Sequence, residues 1–175
     1  MILLYNGILV NEGVAEKGFV AIDGNVISQV GTGEPSAQLM AEATELVDVA
    51  GDYILPGAID DQVHFREPGL THKADIESES RAALVGGVTS FMDMPNTKPP
   101  TISIAEVDRK MDRAREVSVA NYAFFIGATD SNLPELARAD YSRVAGVKLF
   151  MGSSTGNMLV SDPAAIDAIF SSVPA

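Results

Sequence analysis

Between positions 56 and 69 the chain reads Pro56-Gly57-Ala58-Ile59-Asp60-Asp61-Gln62-Val63-His64-Phe65-Arg66-Glu67-Pro68-Gly69. Side chains on a strand alternate between its two faces. A strand over Ile59–Phe65 therefore sets Asp60, Gln62, His64 and Arg66 on one face and Ile59, Asp61, Val63 and Phe65 on the other. Strands of a buried parallel sheet ordinarily read apolar on both sides. In a (β/α)8 barrel the polar face would be the interior, whose polar residues gather at the mouth where catalysis occurs. A hydrogen-bonded polar cluster that ends the strand accounts for the same spacing.

Lys148, in Gly146-Val147-Lys148-Leu149-Phe150, is a lone cation inside an apolar stretch. Burying it unpaired is costly, and desolvation lowers an amine's pKa. The neutral amine can then take up carbon dioxide to give a carbamate, a carboxylate-like group able to bridge two metal ions. The plainer alternative is a lysine that reaches the strand end to pair with an acid or meet water. Asn96, in Asp93-Met94-Pro95-Asn96-Thr97, can present an amide to a ligand, or belong to an ordinary Pro-Asn turn. Gly152-Ser153-Ser154-Thr155-Gly156-Asn157 reads as an anion cradle or a loop. His72 reads as a solvated residue at a helix start. Gly31-Thr32-Gly33 lacks the rest of a dinucleotide fingerprint, and neither a nucleophile elbow nor a Walker loop is present.

The elements that must carry these groups fall into two regions, 1–55 and 56–175. In the first, Phe19–Ile22 and Val26–Val30 flank Asp23-Gly24-Asn25, a hairpin signal. Asn6-Gly7 offers a second tight turn, between Ile2–Tyr5 and Ile8–Val10. From Pro56 onward strands and helices alternate: strands at Ile59–Phe65, Val88–Met92, Tyr122–Ile126 and Val144–Phe150, with a helix over 72–85 closed by Gly86-Gly87. Ser103 and Glu106 form a capping box, ahead of a stripe of Ile104, Val107, Met111 and Ala114. A short helix follows at Leu133–Ala137. Asp162-Pro163 opens a last helix with Ile166, Ile169 and Phe170 on its inner face. Four βα units in series mean a parallel sheet. An open doubly wound sheet and a (β/α)8 barrel both begin this way; a complete barrel typically takes about 250 residues, so an α/β chain of this length would hold only about the first half of one.

Lys and Arg number 12 and Asp and Glu 24, a net charge of −12. Such a chain holds neither nucleic acid nor anionic membrane by bulk charge, and an anionic ligand must be met by locally placed cations. With 46% hydrophobic and 21% charged residues the balance is that of a folded globule rather than a disordered chain. The absence of cysteine excludes disulfides, thiolate zinc sites and a cysteine nucleophile. The amino terminus lacks the pattern of a signal peptide, and a cytoplasmic location is expected.

Taken together, His64-Phe65-Arg66-Glu67-Pro68-Gly69, Met94-Pro95-Asn96-Thr97 and the strand carrying Lys148 resemble the dihydroorotases of the amidohydrolase superfamily. The resemblance runs along nearly the whole chain. It implies a metal-bearing (β/α)8 barrel with a small β-sandwich built from both chain ends. It also implies interconversion of N-carbamoyl-L-aspartate and L-dihydroorotate in pyrimidine biosynthesis, with zinc, one or two ions, as cofactor. By the same resemblance His64 would be a zinc ligand, Lys148 the carbamylated bridge, and Arg66 and Asn96 the binders of the substrate carboxylate. A homo-oligomer is expected, and association with aspartate transcarbamoylase is a further implication.

The chain departs from the family pattern in two places. The first position of the usual His-x-His motif is Gln62, whose amide oxygen is a poorer zinc ligand than imidazole; Asp60, on the same face, is a candidate substitute. The proton-shuttling aspartate and two later histidines would lie beyond Ala175, so no catalytic residue is expected within these 175. Two other readings stand beside the first. One is a hydantoinase- or allantoinase-type hydrolase, disfavoured by Arg66, because those relatives usually lack arginine there. The other is a catalytically silent scaffold, suggested by Gln62.

Overall fold

The computed structural model describes residues 1–152 and 158–173. The chain divides into two compact units, Met1–Pro56 and Gly57–Ala175.

The first unit is a single five-stranded sheet. β1 (Ile2–Asn11) and β2 (Val14–Asp23) form an antiparallel hairpin closed by Glu12-Gly13, at φ 49° and 78°. Two consecutive positive φ angles match the turn twist to that of the strands. β2 pairs antiparallel with β3 (Val26–Thr32) around Asp23-Gly24-Asn25, as expected. Asn6-Gly7, by contrast, does not reverse the chain. β1 continues through it with a register shift between Leu4 and Gly7, Asn6 taking φ 58° and donating its amide to Oδ1 of Asp48 at 2.8 Å. A Cβ at Gly7 would lie 2.5 Å from Cδ1 of Ile54, so the bulge needs glycine there. β4 (Glu45–Asp48) and β5 (Tyr53–Ile54) both run parallel to β1. α1 (Ala37–Glu42), capped by Ser36, lays Leu39 and Met40 over Leu3, Phe19 and Ala21. Val14, Val26, Ile27 and Val30 stay exposed.

The second unit is a parallel sheet in chain order: β6 (Ala58–Val63), β7 (Val88–Asp93), β8 (Asn121–Gly127) and β9 (Gly146–Lys148). Between them run α2 (Ile76–Val85), α3 (Ile104–Val117) and α4 (Leu133–Arg138), and α5 (Pro163–Ser172) follows β9. One apolar cluster joins Phe65, Ile76, Phe91, Ala114 and Phe124; a second joins Val107, Ile126, Leu136, Val160 and Ile169. The rings of Phe65 and Phe91 lie 4.4 Å apart, and Phe124 meets Phe91 edge-on at 6.4 Å. Such ring pairs contribute about 0.5–1.5 kcal/mol each beyond their buried area.

Helix ends follow side-chain caps. Ser103 accepts the Glu106 N–H at the head of α3, one half of the expected capping box, while the Glu106 carboxylate pairs with Arg109 instead of reaching back. α2 starts at Ile76 rather than 72, because Asp75 is its cap, accepting the Ser78 N–H at 2.8 Å. His72 accordingly lies in the preceding loop, exposed. β6 stops at Val63, two residues short of expectation, and β9 spans only Gly146–Lys148. Ile169 is buried beneath α5, but Phe170 is 68% exposed: three residues after a buried position continue the inner face, and one residue after turns away from it.

Candidate active site

The carboxyl ends of three of the four parallel strands carry residues named in the motifs above. His64 follows β6, Asp93 ends β7 with Asn96 three residues on, and Lys148 ends β9. Loops at this edge are where α/β proteins of this kind place their ligands.

The His64 segment is pinned from several directions. Beyond Val63 the backbone leaves the strand ladder: the Met94 N–H donates to the Val63 carbonyl at 3.0 Å, and the Phe65 N–H donates to Oδ1 of Asp93 at 2.9 Å. The His64 Nδ1–H donates to Oδ1 of Asn96 at 2.8 Å. With the amide oxygen accepting, Nδ1 carries the proton, and in a neutral ring the lone pair then lies on Nε2, the form suited to a metal or a proton. Arg66 takes φ 68°, a left-handed conformation uncommon for a residue with a side chain. Glu67 accepts the Ile76 N–H through Oε2 at 3.0 Å and pairs with Nε of Arg113 through Oε1 at 2.8 Å. This pairing, first through its hydrogen bond, holds the Arg113 guanidinium above its ordinary pKa. The Pro68 carbonyl accepts the Lys98 N–H at 3.1 Å. Gly69, at φ 80°, passes so near Lys98 that a Cβ would fall 1.9 Å from its carbonyl oxygen. The two motif segments, 64–69 and 94–98, are thus laced into one loop pair.

Under them lies a buried ion pair absent from the sequence reading. Lys110 Nζ meets Oδ2 of Asp93 at 2.5 Å, donates to the Met94 carbonyl at 3.3 Å, and sits 4.7 Å from the Phe124 ring centroid. Asp93 is fully buried and Lys110 nearly so. Loss of hydration pulls the Lys110 ammonium below its ordinary pKa, and Asp93 opposes that pull. The available signal is a lysine within the apolar stripe of α3, one residue before Met111, and an acid that directly follows Phe91-Met92 at the end of β7.

The remaining candidates stand apart from this group. Asp60 and Gln62 lie exposed on β6, and Oδ1 of Asp60 accepts the Gln62 N–H at 3.1 Å. They do not share a continuous strand face with His64 and Arg66, because the strand has ended by residue 64. Lys148 is half-buried, with Nζ 5.2 Å from the Phe150 ring centroid, and pairs with no carboxylate among the described residues. It shares the carboxyl edge of the sheet with His64, but β7 and β8 stand between their strands. Among the described residues no three His, Asp or Glu side chains gather as a metal would require. These residues therefore do not make a zinc site by themselves: His64 supplies one imidazole nitrogen and Lys148 an amine. Residues 153–157 of the glycine-serine segment lie outside the described residues. No helix among the described residues is long and apolar enough to cross a membrane.

Parallel strands alternating with helices, with the polar residues at the strands' carboxyl ends, define this unit as the opening part of a (β/α)8 barrel. The family model "Dihydro-orotase-like" matches residues 51–156, and the chain belongs to that family. It is 39% identical over 140 residues to a dihydroorotase of Halobacterium salinarum, covering 79% of this chain and 31% of that protein. It is 32% identical over 154 residues to an allantoinase of Deinococcus radiodurans, covering 87% and 33%. The fold is similar to that of the L-hydantoinase (dihydropyrimidinase) from Arthrobacter aurescens, with a TM-score of 0.86 at 24% identity over 97% of this chain and 37% of that one. The chain thus spans about a third of the length of these curated relatives.

Proposed function

We propose that this chain is the front part of a zinc-dependent cyclic amidohydrolase of dihydroorotase type, interconverting N-carbamoyl-L-aspartate and L-dihydroorotate in pyrimidine biosynthesis. The observation that carries the reading is the His64–Asn96 hydrogen bond, which joins the two motif loops at the carboxyl edge of the sheet. In this reading Arg66 and the Asn96 amide bind the substrate carboxylate, directed donors on an otherwise acidic chain. His64 through Nε2 and a carbamylated Lys148 contribute to a zinc site that needs further ligands beyond those described. Gln62 and Asp60 are weak candidates for that role, since Asp60 is turned onto its own strand.

The test is zinc content by metal analysis together with turnover of carbamoyl-aspartate by the full-length protein. Bound zinc with cyclisation is expected. Neither zinc nor turnover would leave the scaffold reading, for which Gln62 speaks. The allantoinase and hydantoinase relatives favour a second substrate class, a ring without the carboxylate that Arg66 is suited to meet.

A further inference from the structure

Phe65 stands between His64 and Arg66 and is itself only 6% exposed, its ring anchored 4.4 Å from that of Phe91. Its backbone is held by a side chain rather than by a strand neighbour. The Asp93 carboxylate uses one oxygen for the Phe65 N–H and the other for Lys110, and Lys110 spends its remaining reach on the Met94 carbonyl and the Phe124 ring. A buried ion pair is a poor source of net stability, because apolar residues of like volume often serve as well or better. What the pair supplies that apolar residues cannot is an acceptor at a fixed point beneath residue 65. That point matters because Arg66, next in line, is held in the left-handed region, and Glu67 beyond it is tied to Arg113 and Ile76. Both Lys110 and Arg113 project from α3, three residues apart and so on one side of the helix.

We propose that Asp93, neutralised by Lys110, is a positioning residue: its hold on the Phe65 N–H sets the direction in which His64 and Arg66 present their side chains. The inference rests on the reading of His64 as a zinc ligand and Arg66 as a carboxylate binder. Two double variants of the full-length protein separate position from mere stability. Asp93→Leu with Lys110→Met keeps the space filled and neutral but removes the acceptor. Asp93→Asn with Lys110→Met is also neutral and retains an acceptor oxygen. The readouts are hydrogen exchange of the Phe65 amide, thermal midpoint, and affinity for zinc ion measured by chelator competition.

The Leu/Met protein is expected to exchange the Phe65 amide at least about tenfold faster and to bind zinc about tenfold more weakly, as supporting groups of metal ligands typically do when lost, with its thermal midpoint near that of the parent. The Asn/Met protein should stay within about threefold of the parent in both, a margin below the tenfold effect of a lost supporting group. Parent-like exchange and zinc affinity in Leu/Met overturns the proposal. So does an Asn/Met protein that loses protection or affinity to the Leu/Met degree, and this arm decides alone if Leu/Met does not fold. A parent that takes up no zinc sinks the metal reading separately. The Phe65 exchange rates then still decide whether Asp93 sets the loop.

Discussion

Nδ1 of His64 and Oδ1 of Asn96, 32 positions apart in the chain, are joined by a hydrogen bond of 2.8 Å. One residue follows β6 and the other follows β7, so the bond closes two neighbouring βα loops over the edge of the sheet. An imidazole whose Nδ1–H is so engaged offers only Nε2 to a ligand. Asn96→Ala removes the partner and frees the ring to rotate or change tautomer. Zinc affinity of the full-length protein is expected to fall about tenfold or more, with the thermal midpoint little changed because His64 and Asn96 are only half-buried. Chelator competition measures it, and an unchanged affinity removes Asn96 from the role of orienting His64.

Arg66 separates the two substrate classes. A guanidinium that meets a carboxylate through charge-assisted hydrogen bonds is worth about 1.5–3 kcal/mol, or roughly ten- to more than hundredfold. Arg66→Ala should lower kcat/KM for dihydroorotate by about that factor. Hydantoin, which has no carboxylate, should change by no more than about threefold, the size of a minor change in uniform binding. Steady-state kinetics on both rings provide the check. Equal losses would mean that Arg66 acts on the fold rather than on the substrate.

Lys110→Met by itself strands the Asp93 carboxylate in the core with one hydrogen bond, from Phe65, and no counter-charge. Breaking one side of a buried ion pair costs about 3–5 kcal/mol. A denaturant titration should show that loss, and should show most of it recovered when Asp93→Leu is added. A single variant as stable as the parent would mean that the carboxylate reaches water or takes up a proton at little cost.

The two motif loops were legible because their chemistry is unusual for a strand end: imidazole, guanidinium and amide in short segments that apolar packing does not explain. Alternation carries the strand through Phe65 and its polar face on to Arg66, but the Asp93 side chain captures the Phe65 N–H and the ladder ends at Val63. A backbone donor satisfied by a residue 28 positions away leaves no periodic trace. Lys110 was missed for a related reason. A lysine on an amphipathic helix reads as solvent-facing unless its partner is known, and that partner comes from another element. Asn6-Gly7 misled in the opposite direction, since a positive φ serves a bulge as well as a turn.

Glu135 links two helices through its charge. Its Oε2 accepts the Ile104 N–H at 2.8 Å, capping α3 from the start of α4. That bond is the chief cause holding the carboxyl below its ordinary pKa, with Arg138 adding to it. A carboxyl whose folded pKa is depressed contributes stability above its unfolded value, near about 4.3, and loses it as pH falls through the folded value. Glu135→Gln should therefore lower the thermal midpoint modestly at pH 7 and flatten its decline below about pH 4.5, so that the two proteins converge on the acid side. Parallel slopes for the two proteins on the acid side would remove Glu135 as a contributor.

The exposed apolar residues of the first unit set how the 175 residues behave as they stand. Val26, Ile27 and Val30 on β3 are 58%, 65% and 59% exposed, and Val14 on β2 is 54% exposed. Burying such a side chain fully is worth about 1.5–3 kcal/mol, so a few of them suffice for self-association at moderate concentration. The opposing term is the net charge of −12, a repulsion screened beyond about 10 Å at 0.1 M salt. Association should accordingly strengthen as salt is added, the reverse of an ion-pair contact. Ile27→Lys with Val30→Lys should weaken it without unfolding the unit, because both side chains already face solvent. Sedimentation across concentration and ionic strength gives the answer. A sample that remains monomeric in high salt, or a double variant that associates as strongly as the parent, would place the driving surface elsewhere.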